Sequence, residues 1–151
     1  MMSKREEAIA LFEKGYNCSQ AVSGAFCEET KIDFDTMMRI SSAFGGGMGR
    51  LREVCGAVSG MFMVAGLLFG YGSPEETQAK KELYARVQAL AFSFKDANGS
   101  YVCRELLGLD IKGADKPTPE KRTNEYYQKR PCKELVGDAA EILEKYLAER
   151  K

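Results

Sequence analysis

The sequence contains no histidine and no tryptophan. The absence of histidine excludes the Ser-His-Asp and Cys-His mechanisms, in which an imidazole activates the nucleophile. It also excludes Cys2His2 zinc sites and haem ligation through imidazole. Any catalysis by this chain must therefore use cysteine, carboxylate, lysine or tyrosine side chains, or a bound cofactor.

The sequence also lacks net charge, because 22 lysines and arginines balance 22 acidic residues over its 151 positions. This balance argues against a nucleic-acid-binding protein, whose surface would be basic. The N-terminal stretch MMSKREEAIALF has acidic residues and no continuous apolar run of the signal-peptide type. We therefore expect one cytoplasmic domain, residues 1–151, in which the five cysteines are mostly reduced.

No segment shows the alternation of apolar and polar residues that is typical of β-strands, so the sequence predicts an all-α, single-domain helical bundle. Caps and apolar spacing predict where the helices lie. The predicted helices are one that ends at Gly15, one from Asn17 to about Thr30, one from Asp33 or Asp35 to the glycines after Phe44, one from Val54 to Tyr71, one from Ser73 to Asn98, one from about Tyr101 to Leu107, and one from Pro131. Residues 108–122 are predicted as a polar loop.

The run VCGAVSGMFMVAGLLFGYGSP, residues 54–74, contains no charged residue. Its length is close to that of a membrane span. However, glycines dilute the run, its neighbours are amphipathic, and there is no tryptophan for an interfacial aromatic belt. We therefore expect a central helix from Val54 to Tyr71 that is buried inside the bundle and does not enter a membrane.

The cysteines form no Cys-x-x-Cys pair, which excludes the usual thioredoxin motif, a zinc ribbon and a bacterial ferredoxin run. Four of the five are predicted at or near helix N-termini, where the helix dipole and free N–H groups favour the thiolate. These four are Cys18, Cys55, Cys103 and Cys132. Basic neighbours act in the same direction, and we expect Arg50 or Arg52 to keep Cys55 ionised near neutral pH. Cys27, predicted late in its helix, is expected to have no functional role.

The stretch FGGGMGRLREVCGAVSG, residues 44–60, surrounds Cys55 with glycine. Gly45, Gly46 and Gly47 can adopt backbone conformations that other residues avoid, and their N–H groups can approach a sulfur or an anion. Gly56 and Gly60, four residues apart, leave one face of the central helix bare. Either another helix or a cofactor can then lie against that face, and both alternatives remain open.

Five segments together carry a resemblance to a known family: Gly15-Tyr16-Asn17-Cys18-Ser19-Gln20-Ala21, Phe44 to Arg50, Cys55-Gly56-Ala57-Val58-Ser59-Gly60, Cys103 to Gly108, and the final Cys132. The chain resembles the family of proposed redox-active proteins that is named for its cysteine pattern, C_GCAxxG_C_C. The chain reads Cys55-Gly56-Ala57 where that name writes Gly-Cys-Ala. The resemblance covers roughly Ala8 to Tyr146 and implies a small helical bacterial or archaeal protein. Cys27 lies outside the pattern.

Three functions remain open at this point. The first is a redox or electron-transfer protein in which Cys18, Cys55, Cys103 and Cys132 bind an iron–sulfur cluster or another metal. The second is a thiol–disulfide oxidoreductase without metal, with Cys55 and Cys18 as the catalytic pair. The third is a non-catalytic helical interaction protein. The redox partner is unknown, and a homodimer is a further expectation.

Overall fold

The computed structural model describes residues 2–150 and confirms an all-α fold. The helices are α1 (Lys4–Glu13), α2 (Cys18–Gly24), α3 (Cys27–Thr30), α4 (Phe34–Ser41), α5 (Gly45–Met48), α6 (Gly56–Phe69), α7 (Thr77–Asn98), α8 (Cys103–Leu106), α9 (Asn124–Lys129) and α10 (Cys132–Ala148). A single 3-10 turn, Ser42–Phe44, joins α4 to α5. Within residues 2–150 the only strand-like pairing is an isolated antiparallel bridge between Val54 and Val102.

Helix α6 forms the centre of the bundle, as the uncharged run predicts. It packs against α2, α7 and α10, while α1 lies on α10. Its first turns are fully buried, and Leu67 near its C-terminal end is 45% exposed. No helix within residues 2–150 combines the length and the apolar character that crossing a bilayer requires.

Local capping explains where α1 and α2 begin. The Ser3 and Asn17 side chains each accept a hydrogen bond from the backbone N–H three residues later. In turn, the Glu6 and Gln20 side chains accept hydrogen bonds from the backbone N–H groups of Ser3 and Asn17. These reciprocal bonds form a capping box at each helix start. The box at Asn17 fixes Cys18 as the first residue of α2.

Two predicted helices have wrong bounds, and one helix was not predicted. The helix predicted from Asn17 to about Thr30 breaks at Ala25 and Phe26, so Cys27 begins the separate helix α3. The long helix starts at Thr77 and not at Ser73, because the Glu76 carboxylate accepts the N–H groups of Gly72 and Ser73 and holds a turn there. Helix α9 follows the predicted polar loop and has no counterpart among the predicted helices.

The segment between α4 and α6 has an unusual backbone. Between positions 46 and 52, six of the seven residues have φ between 59° and 70°. They are Gly46, Gly47, Met48, Gly49, Arg50 and Arg52. Three glycines take this left-handed conformation at little cost, whereas each of the other three residues costs about 1–2 kcal/mol. Surrounding contacts must therefore hold this segment, and the contacts of Arg50 and Arg52 are described below.

Candidate functional site

The four cysteines that were predicted at helix starts line one cavity of about 300 Å³. Cys18, Cys103 and Cys132 are the first residues of α2, α8 and α10, and Cys55 is the N-cap of α6. Cys55, Cys103 and Cys132 are at most 9% exposed, and Cys18 is partly buried. The bundle thus brings together four thiols that are far apart in the sequence.

A short backbone pairing places Cys55 beside the segment that carries Cys103. The Cys55 N–H donates to the Tyr101 carbonyl at 2.9 Å, and the Arg104 N–H donates to the Arg52 carbonyl at 3.2 Å. The isolated bridge between Val54 and Val102 lies between these two bonds. The segment that leads into α6 is therefore tied to the segment that leads into α8.

Cys18 and Cys132 form the most closely interacting thiol pair of the cavity. The pKa of Cys132 is lowered to about 7, first because Cys18 donates a hydrogen bond to its sulfur, and then because of the Tyr126 hydroxyl and the charges of Arg130 and Arg52. The pKa of Cys18 is raised well above its ordinary value, since Cys18 holds the shared proton and is also buried. The two thiols thus share a proton, and their surroundings favour the thiolate on Cys132 over the thiolate on Cys18.

The expectation that Cys55 is ionised near neutral pH is wrong. Burial raises the pKa of Cys55 to about 12, although the N–H groups of Ala57 and Val58 lower it in part. Burial also raises the pKa of Cys103, against the opposing effect of Arg52. At both cysteines the cost of removing the thiolate from water exceeds the stabilisation from nearby N–H groups or arginines.

Cys27 lies outside the cavity, which agrees with its exclusion from the predicted site. It does stand at a helix start, contrary to the predicted continuous helix, but α3 has only four residues. Burial, and then the charge of Asp33, raises the pKa of Cys27. Its thiolate is thus disfavoured, mainly by burial.

The basic residues that flank the cysteines in sequence act differently from one another. Arg52, 4% exposed, donates from Nη1 to the sulfur of Cys103 at 3.6 Å and not to Cys55. Arg104 instead pairs with Glu53 at 2.9 Å. Lys133, the neighbour of Cys132, pairs with Glu13 at 3.5 Å. Of these three side chains, the structure gives only Arg52 a direct contact with a cavity thiol.

The predicted glycines act mainly by letting cysteine-bearing segments approach each other. A Cβ on Gly47 would lie 2.6 Å from the Cβ of Cys103, and one on Gly56 would lie 3.1 Å from the Cβ of Cys18. Gly45, Gly46, Gly47 and Gly56 all line the cavity. Gly60 instead faces α2, where its Cβ would lie 2.9 Å from the Cβ of Val22.

Sequence patterns did not identify several residues that lie near the thiols. Tyr126 belongs to α9, which no pattern predicted. Arg130 stands two residues before Cys132, and a basic residue just ahead of a helix-start cysteine is a signal that was available. Asp115 contacts Arg50 and Arg52 from the polar loop, and nothing local in the sequence identifies it.

Within residues 2–150, no group of three or more histidine, cysteine, aspartate or glutamate side chains is arranged to hold a metal ion. Comparison with curated proteins and with solved structures gave no match. The model of a family described as "Putative redox-active protein (C_GCAxxG_C_C)" matches residues 16–146. These residues make up most of the chain and include the four cavity cysteines as well as Cys27. The chain therefore belongs to the C_GCAxxG_C_C family.

Proposed function

We propose that this chain is an electron-transfer protein whose four cavity cysteines bind an iron–sulfur cluster. The observation that carries the proposal is the convergence of Cys18, Cys55, Cys103 and Cys132 on one cavity. Four cysteine thiolates are the usual ligand set of [2Fe–2S] and [4Fe–4S] clusters. A cluster held this way supplies one-electron transfer, which fits a redox-active family.

The size of the cavity favours a polynuclear centre over a single ion. Sulfur ligands of one zinc ion each lie about 2.3 Å from it and leave little space between them. The cavity instead has about 300 Å³, whereas a water molecule takes about 30 Å³ of the liquid. The four thiols line a cavity with room for several iron and sulfide atoms, although no three histidine, cysteine or carboxylate side chains within residues 2–150 are already placed to hold one metal ion.

The charge around the cavity also suits a cluster with four thiolate ligands, which carries net negative charge. Four arginines line the cavity; two of them share the Asp115 carboxylate, and a third pairs with Glu120, the one carboxylate residue of the lining. These arginines are Arg50, Arg52, Arg122 and Arg130. Positive charge of this kind stabilises ionised sulfur and raises the reduction potential of a cluster.

The structure supports separate roles for the residues that surround the cavity. The four cysteines would be the ligands, and Arg52 would orient Cys103. The backbone of Gly45, Gly46 and Gly47 would border the cluster. The electron donor or acceptor is a separate molecule, and we place the reaction in the reducing cytoplasm, where an odd number of cysteines stays free.

Anaerobic purification tests the proposal directly. We expect stoichiometric iron and acid-labile sulfide, together with visible absorption that bleaches on reduction. Cys55→Ser should lose the iron and keep its far-UV helicity, whereas Cys27→Ser should keep both. Iron-free protein after anaerobic purification and cluster reconstitution would contradict the proposal, as would equal iron content in the two variants.

The contact between Cys18 and Cys132 supports a second candidate, thiol–disulfide exchange in the metal-free protein. The Cys132 thiolate would attack a sulfur of a partner disulfide and release one partner thiolate. The Cys18 thiol would then lose its proton and attack the mixed disulfide, which leaves a Cys18–Cys132 disulfide and a fully reduced partner. Two electrons pass from the chain to the partner. This pair differs from the predicted pair of Cys55 and Cys18.

Titration of the metal-free protein against reduced and oxidised glutathione tests this second candidate. We expect a two-electron transition, with one disulfide that peptide mass spectrometry assigns to Cys18 and Cys132. Cys18→Ser should abolish the transition, and Cys27→Ser should leave it unchanged. A disulfide between any other pair of cysteines would contradict the assignment.

A further inference from the structure

The polar segment between α8 and α9 covers one side of the four-cysteine cavity. Pro117, Pro119, Glu120 and Arg122 from this segment line the cavity together with the thiols. The segment has no helix of its own, and most of its residues are exposed. The segment belongs to the site because four of its residues line the cavity, and not because it packs into the core of the bundle.

A small number of polar contacts hold this segment in place. The Asp115 carboxylate lies between two guanidinium groups, 3.1 Å from Arg50 Nη2 and 2.9 Å from Arg52 Nη2. The Asp115 N–H donates to the Arg50 carbonyl at 2.9 Å. At the other end, Arg122 donates to the carbonyls of Phe12 and Tyr16.

Arg52 connects this segment to the site chemistry. The same guanidinium that binds Asp115 donates to the sulfur of Cys103 at 3.6 Å. Arg50 and Arg52 both have φ in the left-handed region, at 66° and 59°. Because this backbone conformation is unfavourable for arginine, contacts from elsewhere must hold it, and Asp115 contacts both residues.

We propose that residues 109–122 form a lid over the thiols, that Asp115 fastens this lid to Arg50 and Arg52, and that Arg52 links the lid position to Cys103. When Asp115 separates from the two arginines, the lid opens and admits larger molecules to the cavity. The inference relies on the proposed function only in treating the cavity as the reactive site, and it holds for the cluster-free protein too.

Alkylation of the reduced, metal-free protein by two reagents of different size tests the lid. Iodoacetamide is small, and a maleimide coupled to a 5-kDa polyethylene glycol is large. Peptide mass spectrometry gives the rate at Cys132 for each reagent, and Cys27, outside the cavity, serves as the internal standard. The variant is Asp115→Asn, and the matched control is Asp110→Asn, an exposed acid of the same segment.

In Asp115→Asn we expect the rate ratio of large to small reagent at Cys132 to rise by at least about threefold, with no change at Cys27. Asp110→Asn should match the wild type. Equal ratios in the two variants would overturn the proposal. A parallel rise at Cys132 and Cys27 would also overturn it, since it would mean general loosening of the fold.

Two further measurements keep the test decisive if Asp115→Asn folds poorly. Arg50→Lys retains the charge but loses the guanidinium contacts, and it should raise the ratio in the same direction. Hydrogen exchange should accelerate in residues 109–122 of Arg50→Lys while α6 and α10 keep their protection. Unchanged exchange in the segment would exclude the lid, whatever the iron content of the protein.

Discussion

The crossing of α2 and α6 provides a sharp test of the role of the glycines. Gly60 and Gly66 both lie on α6, but their surroundings differ. A Cβ at position 60 would lie 2.9 Å from the Cβ of Val22 and 3.0 Å from the carbonyl oxygen of Ser19. A Cβ at position 66 would meet nothing within 4 Å. The same substitution to alanine should therefore have opposite effects at the two positions.

The magnitudes follow from two opposing contributions. Alanine in a helix is more stable than glycine by about 0.5–1 kcal/mol. At position 66 this gain stands alone, so Gly66→Ala should stabilise the protein by that amount. At position 60 the new methyl group forces a backbone atom and a branched side chain apart, and overpacking of this kind costs about 1–3 kcal/mol. The net effect of Gly60→Ala should be a loss of up to about 2.5 kcal/mol.

Urea denaturation followed by far-UV circular dichroism measures both changes. We expect the midpoint to fall for Gly60→Ala and to rise for Gly66→Ala, at the same m-value. In a thermal melt, a chain of this size changes its Tm by about 2–4 °C per kcal/mol. Because the gain in helix propensity is common to both variants, they should differ by the overpacking cost, about 2–12 °C. Equal stabilisation by both substitutions would refute the tight crossing and leave Gly60 available for another role.

Two other predictions concern thiol reactivity and ion pairs. Alkylation rates of the reduced, metal-free protein can be measured for each cysteine by peptide mass spectrometry. The rate at Cys132 should be half-maximal near pH 7 and the rate at Cys55 should still be rising at pH 9, because their pKa values are about 7 and about 12. Identical pH profiles for the two cysteines would contradict these assignments. Arg5→Ala should lower the free energy of unfolding by about 1–2 kcal/mol in urea, since Arg5 pairs with three carboxylates of α10, whereas Arg39→Ala, which removes one fully exposed pair, should cost less than about 0.5 kcal/mol. The three partners of Arg5 are Glu134, Asp138 and Glu141.

The sequence predicted the features that depend on local rules. The capping pair of Asn17 and Gln20 located the start of α2, and an uncharged, glycine-containing run located the buried central helix. The predicted helix starts also included four cysteines, and these four line one cavity in the folded protein. Ahead of α7, the cap, proline and acids of residues 73–76 predicted the wrong start, because the Glu76 carboxylate binds the N–H groups of Gly72 and Ser73 instead.

The ionisation of the thiols could not be predicted, because it depends on distant contacts. Local reasoning favoured Cys55 for its helix start and its arginine neighbours. In the structure, burial outweighs both effects at Cys55, and Arg52 turns towards Cys103. The lowest pKa belongs to Cys132, whose proton-donating neighbours Cys18 and Tyr126 come from other helices. The spacing of residues in the sequence does not predict these contacts between helices.

The opposite pKa shifts of Cys132 and Cys55 make a final prediction about stability in the reduced, metal-free protein. From pH 7 to 9 the unfolded chain keeps a proton on Cys132, whose ordinary thiol pKa is 9.0, while the folded protein has lost it at about 7. The unfolded state then binds more protons, so stability rises with pH, by up to about 3 kcal/mol for a pKa lowered by about 2.

Above pH 9 the balance reverses. Unfolded Cys55 loses its proton near 9.0, whereas folded Cys55 holds its proton up to about pH 12. The folded state now binds more protons, and stability falls as pH rises, with Cys18 and Cys103 acting in the same direction. Urea denaturation with a phosphine reductant should therefore show maximal stability near pH 9. Cys132→Ser should remove the rise between pH 7 and 9, and Cys27→Ser should leave it in place. A wild-type protein whose stability declines steadily from pH 7 would show that Cys132 is not the ionised thiol.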